Sequence, residues 1–206
     1  MENIVYKYFT LTEDKKRKID SMQSIYSFWN DKVNLISRKD FDYFYEKHVL
    51  HSLSICNCFS FKPNSKIMDL GTGGGFPGVP LAIMYPQVTF YLVDSIAKKT
   101  KVLESIVQEL DLSNVVVINK RAEDIDECFD FIVTRAVAKL EQLHGWSKNN
   151  ISTQNNHSFK NGLICLKGGD LSDELKRFRH KAYEYSISDF FDESFFIEKK
   201  IIHLFK

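Results

Sequence analysis

Between two apolar runs, Ile67-Met68 with Leu70 and Val79 to Met84, the chain carries Gly71-Thr72-Gly73-Gly74-Gly75-Phe76-Pro77-Gly78. No other stretch constrains the fold as much. Glycines crowded between two hydrophobic segments read as a sharp turn from a buried strand into a helix, with a backbone bare enough for another group to touch it. The spacing is G-x-G-x-G-x-x-G, shared by structural turns, dinucleotide sites and adenosine-type sites alike.

The segments downstream narrow the choice. A second strand, Val88 to Val93, ends at Asp94, about twenty residues beyond the first glycine, where an acidic side chain meets a ribose hydroxyl pair. A third, Val115 to Ile118, runs into Asn119-Lys120-Arg121-Ala122-Glu123-Asp124, and a fourth, Phe131 to Val133, into Thr134-Arg135-Ala136. Polar or glycine residues thus follow four successive apolar strands, at the carboxyl ends where open α/β sheets build ligand sites. Helices are expected over Val79 to Met84, Ile96 to Leu110 and Leu140 to Asn149, and strand–helix alternation implies a mainly parallel sheet. Asn149 to Asn161 reads as a surface loop. A strand at Leu163 to Leu166, a helix from Ser172 to about His180 and two strands, around Ala182–Ile187 and Phe195–Leu204, complete the chain. Two adjacent closing strands, with no second domain for a hydride acceptor, favour by fold analogy a class I S-adenosylmethionine-dependent methyltransferase, a Rossmann-like fold with a seven-stranded sheet, over a nicotinamide enzyme.

The first third differs. Ile19, Met22, Ile25, Tyr26, Trp29 and Val33 recur at helical spacing between about Thr12 and Val33, and Asp40 is placed to cap a second helix carrying Phe41, Phe44, Tyr45, His48, Val49 and Leu53. Residues 1–62 are therefore expected to form a helical extension and 63–206 the catalytic unit.

Composition excludes more than it selects. The 206 residues carry a net charge of +1, so a nucleic-acid partner would need local basic patches; Lys15 to Lys18, Lys98-Lys99 with Lys101, and Lys176 to Lys181 provide them. Cysteines 56, 58, 128 and 165 lack Cys-x-x-Cys spacing, so neither zinc nor a disulfide frame is indicated and no metal is expected. No signal-peptide layout or membrane-length apolar run is present, and a soluble, cytoplasmic protein is the expectation.

Seven segments carry a specific resemblance: Trp29-Asn30-Asp31-Lys32-Val33-Asn34-Leu35-Ile36-Ser37, Lys47 to Ser52, Asp69 to Gly78, Leu92 to Ser95 with Lys98-Lys99, Arg121-Ala122-Glu123, Thr134-Arg135-Ala136 and Leu166-Lys167-Gly168. Together they resemble the RsmG (GidB) family of bacterial 16S ribosomal RNA methyltransferases, which modify guanine N7, over about residues 25 to 170. Two departures stand out: His51 occupies a position where the family commonly has aspartate, and the loop around Ser152 to Lys160 is longer. The resemblance implies S-adenosylmethionine as cofactor, with Gly71 and Gly73 passing its methionine part, Phe76 against it, Asp94 on the ribose and Ala122 and Glu123 beside the adenine. It implies 16S ribosomal RNA in the small subunit as partner; a monomer is the separate expectation. Arg135 would sit where donor methyl and acceptor base meet. Arg135 or Arg121 would fix the guanine edge, since N7 and O6 suit a guanidinium; pairing of Arg135 with the cofactor carboxylate is the competing use.

Each assignment has a plainer reading. The glycine turn could be structural, Asp94 a helix cap, Glu123 and Arg121 solvated surface charges, and Trp29, Tyr43, Phe44 and His48 core residues of amphipathic helices. Cys165 falls in a buried strand, which argues against a covalent cysteine mechanism, and the absence of an Asn-Pro-Pro-Tyr tetrapeptide argues against methylation of an exocyclic amine.

Overall fold

A computed structural model describes residues 3–135 and 138–206. Ala136, the third residue of the Thr134-Arg135-Ala136 motif, lies outside the described residues, as do Met1 and Glu2. Seven strands form one sheet in the order β3-β2-β1-β4-β5-β7-β6. They are β1 (Lys66–Leu70), β2 (Thr89–Asp94), β3 (Val115–Asn119), β4 (Phe131–Arg135), β5 (Gly162–Gly168), β6 (Ala182–Ser186) and β7 (Lys199–Phe205). The first five are parallel; β7 enters antiparallel between β5 and β6. This is the mainly parallel, hairpin-closed sheet expected from the strand pattern.

Register brings the carboxyl ends level: Leu70 lies beside Val93, Asp94 beside Asn119 and Arg135 beside Leu166. Because side chains alternate along a strand, each strand feeds two cores. Ile67, Phe90, Leu92, Phe131 and Val133 face one, while Met68, Leu70, Val93, Ile132 and Leu163 face the other.

The helices are α1 (Val5–Tyr8), α2 (Glu13–Asn30), α3 (Arg38–Phe41), α4 (His51–Leu53), α5 (Ile55–Cys58), α6 (Gly78–Met84), α7 (Ala97–Glu109), α8 (Leu140–Ser147) and α9 (Ser172–Leu175). Ile19, Met22 and Tyr26 of α2 are fully buried in the same core as Ile67, Phe90 and Leu103. The N-terminal helices therefore share the hydrophobic core of the sheet.

Three expectations need correction. The helix expected to be capped by Asp40 is broken: Asp40 lies inside the four-residue α3, and the chain re-forms as a wide π turn, Tyr45–Leu50, before α4. The widening is used, because the Lys47 carbonyl within it accepts a hydrogen bond from Arg135. The helix from Ser172 stops at Leu175 and tightens to a 3-10 turn, Lys176–Phe178, burying Phe178. The last strand starts at Lys199 rather than near Phe195; residues Ser194–Phe196 form a 3-10 turn whose two phenylalanines meet the His51 ring edge-on at 5.5 and 6.0 Å.

Candidate functional site

The glycine turn does two different jobs. Gly73 has φ +56°, a backbone that side chains rarely adopt, and a Cβ there would project into open cleft rather than protein. At Gly78 the constraint is packing instead: a Cβ would strike Leu92 and the Asp69 carboxylate. Asp69, completely buried at the end of β1, organises the loop. Its Oδ2 accepts from Thr72 Oγ1 at 2.6 Å and from the Gly78 N–H at 2.8 Å. Burial nonetheless raises its pKa to about 7, and Oδ1 has no hydrogen-bond partner among the described residues.

Asp94 closes the other side. Its Oδ2 accepts from the Gly73 N–H and its Oδ1 from the Ile96 N–H, both at 2.9 Å, so the carboxylate ties the glycine turn to the segment leading into α7. Asp94 is not itself the helix cap, since the N-cap of α7 is Ile96; its bond to the Ile96 N–H closes the turn just before it. Each oxygen retains acceptor capacity for a further donor.

Around this turn lies a cleft of about 330 Å³ lined by Gly71, Gly73, Asp94, Ile96, Lys99, Arg121, Ala122, Glu123 and Trp146. Six residues singled out from the sequence for this site, Gly71, Gly73, Asp94, Arg121, Ala122 and Glu123, are brought together here. Phe76 and Arg135 are not. Phe76 is 3% exposed and sits beneath the turn, against Tyr26 (5.1 Å between centroids) and His48 (5.3 Å).

Arg135 lines a second cavity of about 210 Å³, with Asp40, Lys47, His48 and His51 from the N-terminal helices and Leu166, Lys167, Phe195 and Lys199 from the far half of the sheet. Its guanidinium lies 5.0 Å from the Phe76 ring centre and donates to the Lys47 carbonyl at 3.2 Å and to His48 Nδ1 at 3.0 Å. Burial brings the pKa of Arg135 down to about 10, opposed first by the Asp69 charge. Burial, then Arg135, takes His48 down to about 3, so this imidazole is neutral. His51 is also pushed well below its ordinary value by burial. Thr134 Oγ1 donates to the Leu70 carbonyl at 2.8 Å, tying the end of β4 to the end of β1. Arg121 follows β3 and Arg135 ends β4, three strand spacings away, about 14 Å. The two arginines do not converge on one small group.

Sequence reasoning gave no role to Ile96, Trp146 or Lys167, and of the basic patch at Lys98, Lys99 and Lys101 only one member reaches the cleft. Ile96 and Trp146 give the first cleft apolar walls, and their signal was weak: one exposed isoleucine after Asp94 and one indole on α8. Lys99 lines that cleft, whereas Lys98 and Lys101 are exposed. Lys167 is held by Glu174 at 2.6 Å and by the Ala138 carbonyl, which ties β5 to the segment following β4. Among the described residues no three His, Cys, Asp or Glu side chains gather into a metal site, and no helix is long and apolar enough to cross a membrane.

Residues 14–200 match the family described as GidB, rRNA small subunit methyltransferase G. The chain belongs to that family. Proteins named ribosomal RNA small subunit methyltransferase G are 50% identical in Christiangramia forsetii, over 98% of this chain and 95% of that protein. In Bacteroides thetaiotaomicron the figure is 47%, over 97% and 98%. Among solved structures, a putative O-methyltransferase from Nostoc punctiforme superposes with a TM-score of 0.60 at 15% identity, covering 77% of this chain and 56% of that one. M. jannaschii TYW2, solved in complex with AdoMet, gives 0.54 at 12%, covering 73% and 72%. These likenesses show the class I methyltransferase fold.

Proposed function

We propose that the protein transfers the methyl group of S-adenosylmethionine to N7 of a guanine in the 16S ribosomal RNA of the small ribosomal subunit. The observation that carries this reading is the pairing of two adjoining cavities at the carboxyl ends of the strands in a chain of the GidB family. The first suits the cofactor: Gly71 and Gly73 leave room for its methionine part, Asp94 keeps acceptor capacity for ribose hydroxyls, and Ile96, Ala122, Glu123 and Trp146 border a flat ring. When bound there, S-adenosylmethionine supplies an electrophilic methyl group on a sulfonium.

The second cavity takes the acceptor base. Guanine N7 presents an in-plane lone pair, so no proton leaves the attacking atom and no general base is required; positioning supplies the rate. That lone pair must be free during transfer, so a guanidinium cannot occupy N7 and O6 together, and Arg135 takes O6 alone. Its place in the second cavity rather than the first supports a contact with base over one with the cofactor carboxylate. Arg121 on the first cleft is left to the cofactor or to an RNA phosphate. Residues 1–62 contribute a wall of the acceptor cavity through Lys47 and His48. Phe76 acts from beneath the turn, supporting it rather than touching the ligand.

The test is transfer of labelled methyl from S-adenosylmethionine to purified small subunits lacking the modification, followed by nucleoside analysis. 7-Methylguanosine in the 16S RNA is the expected product. Demonstrable cofactor binding without incorporation would overturn the reading.

A further inference from the structure

We infer that His48 is a positioning residue for the transfer: held as its Nε2–H tautomer, it pins the Arg135 guanidinium against Phe76 at the wall of the acceptor cavity. The inference deepens the reading of Arg135 given above and rests on it.

A guanidinium has only donors, so the 3.0 Å contact between Arg135 Nη2 and His48 Nδ1 has one polarity. Nδ1 contributes its lone pair, and in a neutral ring the proton must then be on Nε2. That Nε2 is buried and has no hydrogen-bond partner among the described residues. An unpaired buried N–H costs stability, and an apolar side chain surrounded by Phe44 and Phe76 would avoid that cost. The polar ring is therefore explained by its other nitrogen. His48 cannot act as a proton acceptor, because Nδ1 is occupied and Nε2 already carries hydrogen; its service is geometric.

Three restraints then converge on one guanidinium. The Lys47 carbonyl takes Nη1 at 3.2 Å, His48 takes Nη2, and the Phe76 face lies 5.0 Å from the central carbon. Two of five N–H groups are committed and three remain for an acceptor oxygen. Lys47 and His48 belong to the π turn, so the N-terminal helices aim an arginine that the sheet supplies. A guanidinium aimed before the base arrives loses less freedom on forming its bond than one searching a cavity.

The experiment compares His48→Ala, His48→Asn and His48→Gln in the full-length protein, using small subunits lacking the modification. Asparagine can present an acceptor oxygen near the Nδ1 position; glutamine places its amide further out. His48→Ala and His48→Gln should lower kcat/KM by about 10- to 100-fold, the size expected for losing a hydrogen bond to a charged group. His48→Asn should recover most of that loss, and cofactor affinity should stay within about twofold in all three. Independently of turnover, ¹⁵N NMR of the wild type should show His48 Nδ1 unprotonated and Nε2 protonated, and Arg135→Ala should release that preference. An Nδ1–H ring, or equal loss in all three variants with weakened cofactor binding, would overturn the inference. A wild-type protein that transfers no methyl at all would instead sink the reading beneath it, leaving the tautomer result to stand alone.

Discussion

The two cavities are built in opposite ways. The cleft proposed for the cofactor has a local nucleus, Gly71 and Gly73 of one turn with Asp94 at the end of the adjacent strand, to which Arg121, Glu123 and Trp146 add walls from further along the chain. The cavity proposed for the acceptor base is assembled from a π turn near residue 47, the end of β4, the end of β5 and the start of β7. The first depends on backbone at positive φ that glycine adopts most readily, and the second on side chains from distant segments aiming one another. Disruption should therefore abolish binding in the first and disorient a bound partner in the second.

The largest effect tests that contrast at the cleft. Gly73→Val adds a branched side chain at φ +56° and pushes it into the ligand space. Cofactor affinity by isothermal titration should fall about 100-fold or more, with circular dichroism little changed. Next comes the acceptor side. Arg135→Ala should leave cofactor affinity within about twofold while methyl transfer to small subunits drops about 100-fold. Parallel losses of binding and transfer would mean that Arg135 serves the cofactor instead.

A smaller effect probes the joint between the regions. Tyr26 is fully buried on α2, and its hydroxyl donates at 2.7 Å to the carbonyl of Gly74, inside the glycine turn. Tyr26→Phe strands that carbonyl and should cost about 1–3 kcal/mol in denaturant unfolding, with a weaker loss of cofactor affinity. The smallest effect is a difference in slope. Asp69 has a folded pKa of about 7, above its ordinary 3.8. The folded state therefore holds a proton that the unfolded chain releases between those values, and this group's contribution to stability declines as pH rises from about 4 to about 7. His48, depressed to about 3, works in the opposite sense from about 3 to 6.5. The comparison is thus between wild type and Asp69→Asn: their difference in melting temperature should change steadily across that window and level off above it.

The same contrast explains what was legible in the sequence. Strands, glycine turn and Asp94 are local signals, a two-residue period and a spacing of about twenty, and they survive into the structure nearly unchanged. The segment from Arg38 to Leu53 does not, because its aromatic residues are satisfied by tertiary partners. Tyr45 reaches back to the Asp20 carbonyl of α2 at 2.9 Å, and the π turn offers Lys47 O to a strand 88 residues away. Neither partner is visible in a helical period. Phe76 lies off the cleft for a related reason: a residue inside a glycine turn is not thereby on its surface, and four aromatic or cationic neighbours hold it inward.

The hydrogen bond from Tyr26 to Gly74 also fixes an order of events. Its partners are 48 residues apart, and the helix bearing the hydroxyl is synthesised before the turn that needs it. The apolar face of α2 is therefore synthesised before β1 and α6, which share its core, and the glycine turn can take its final hydrogen bond only once both sides of that core are in place.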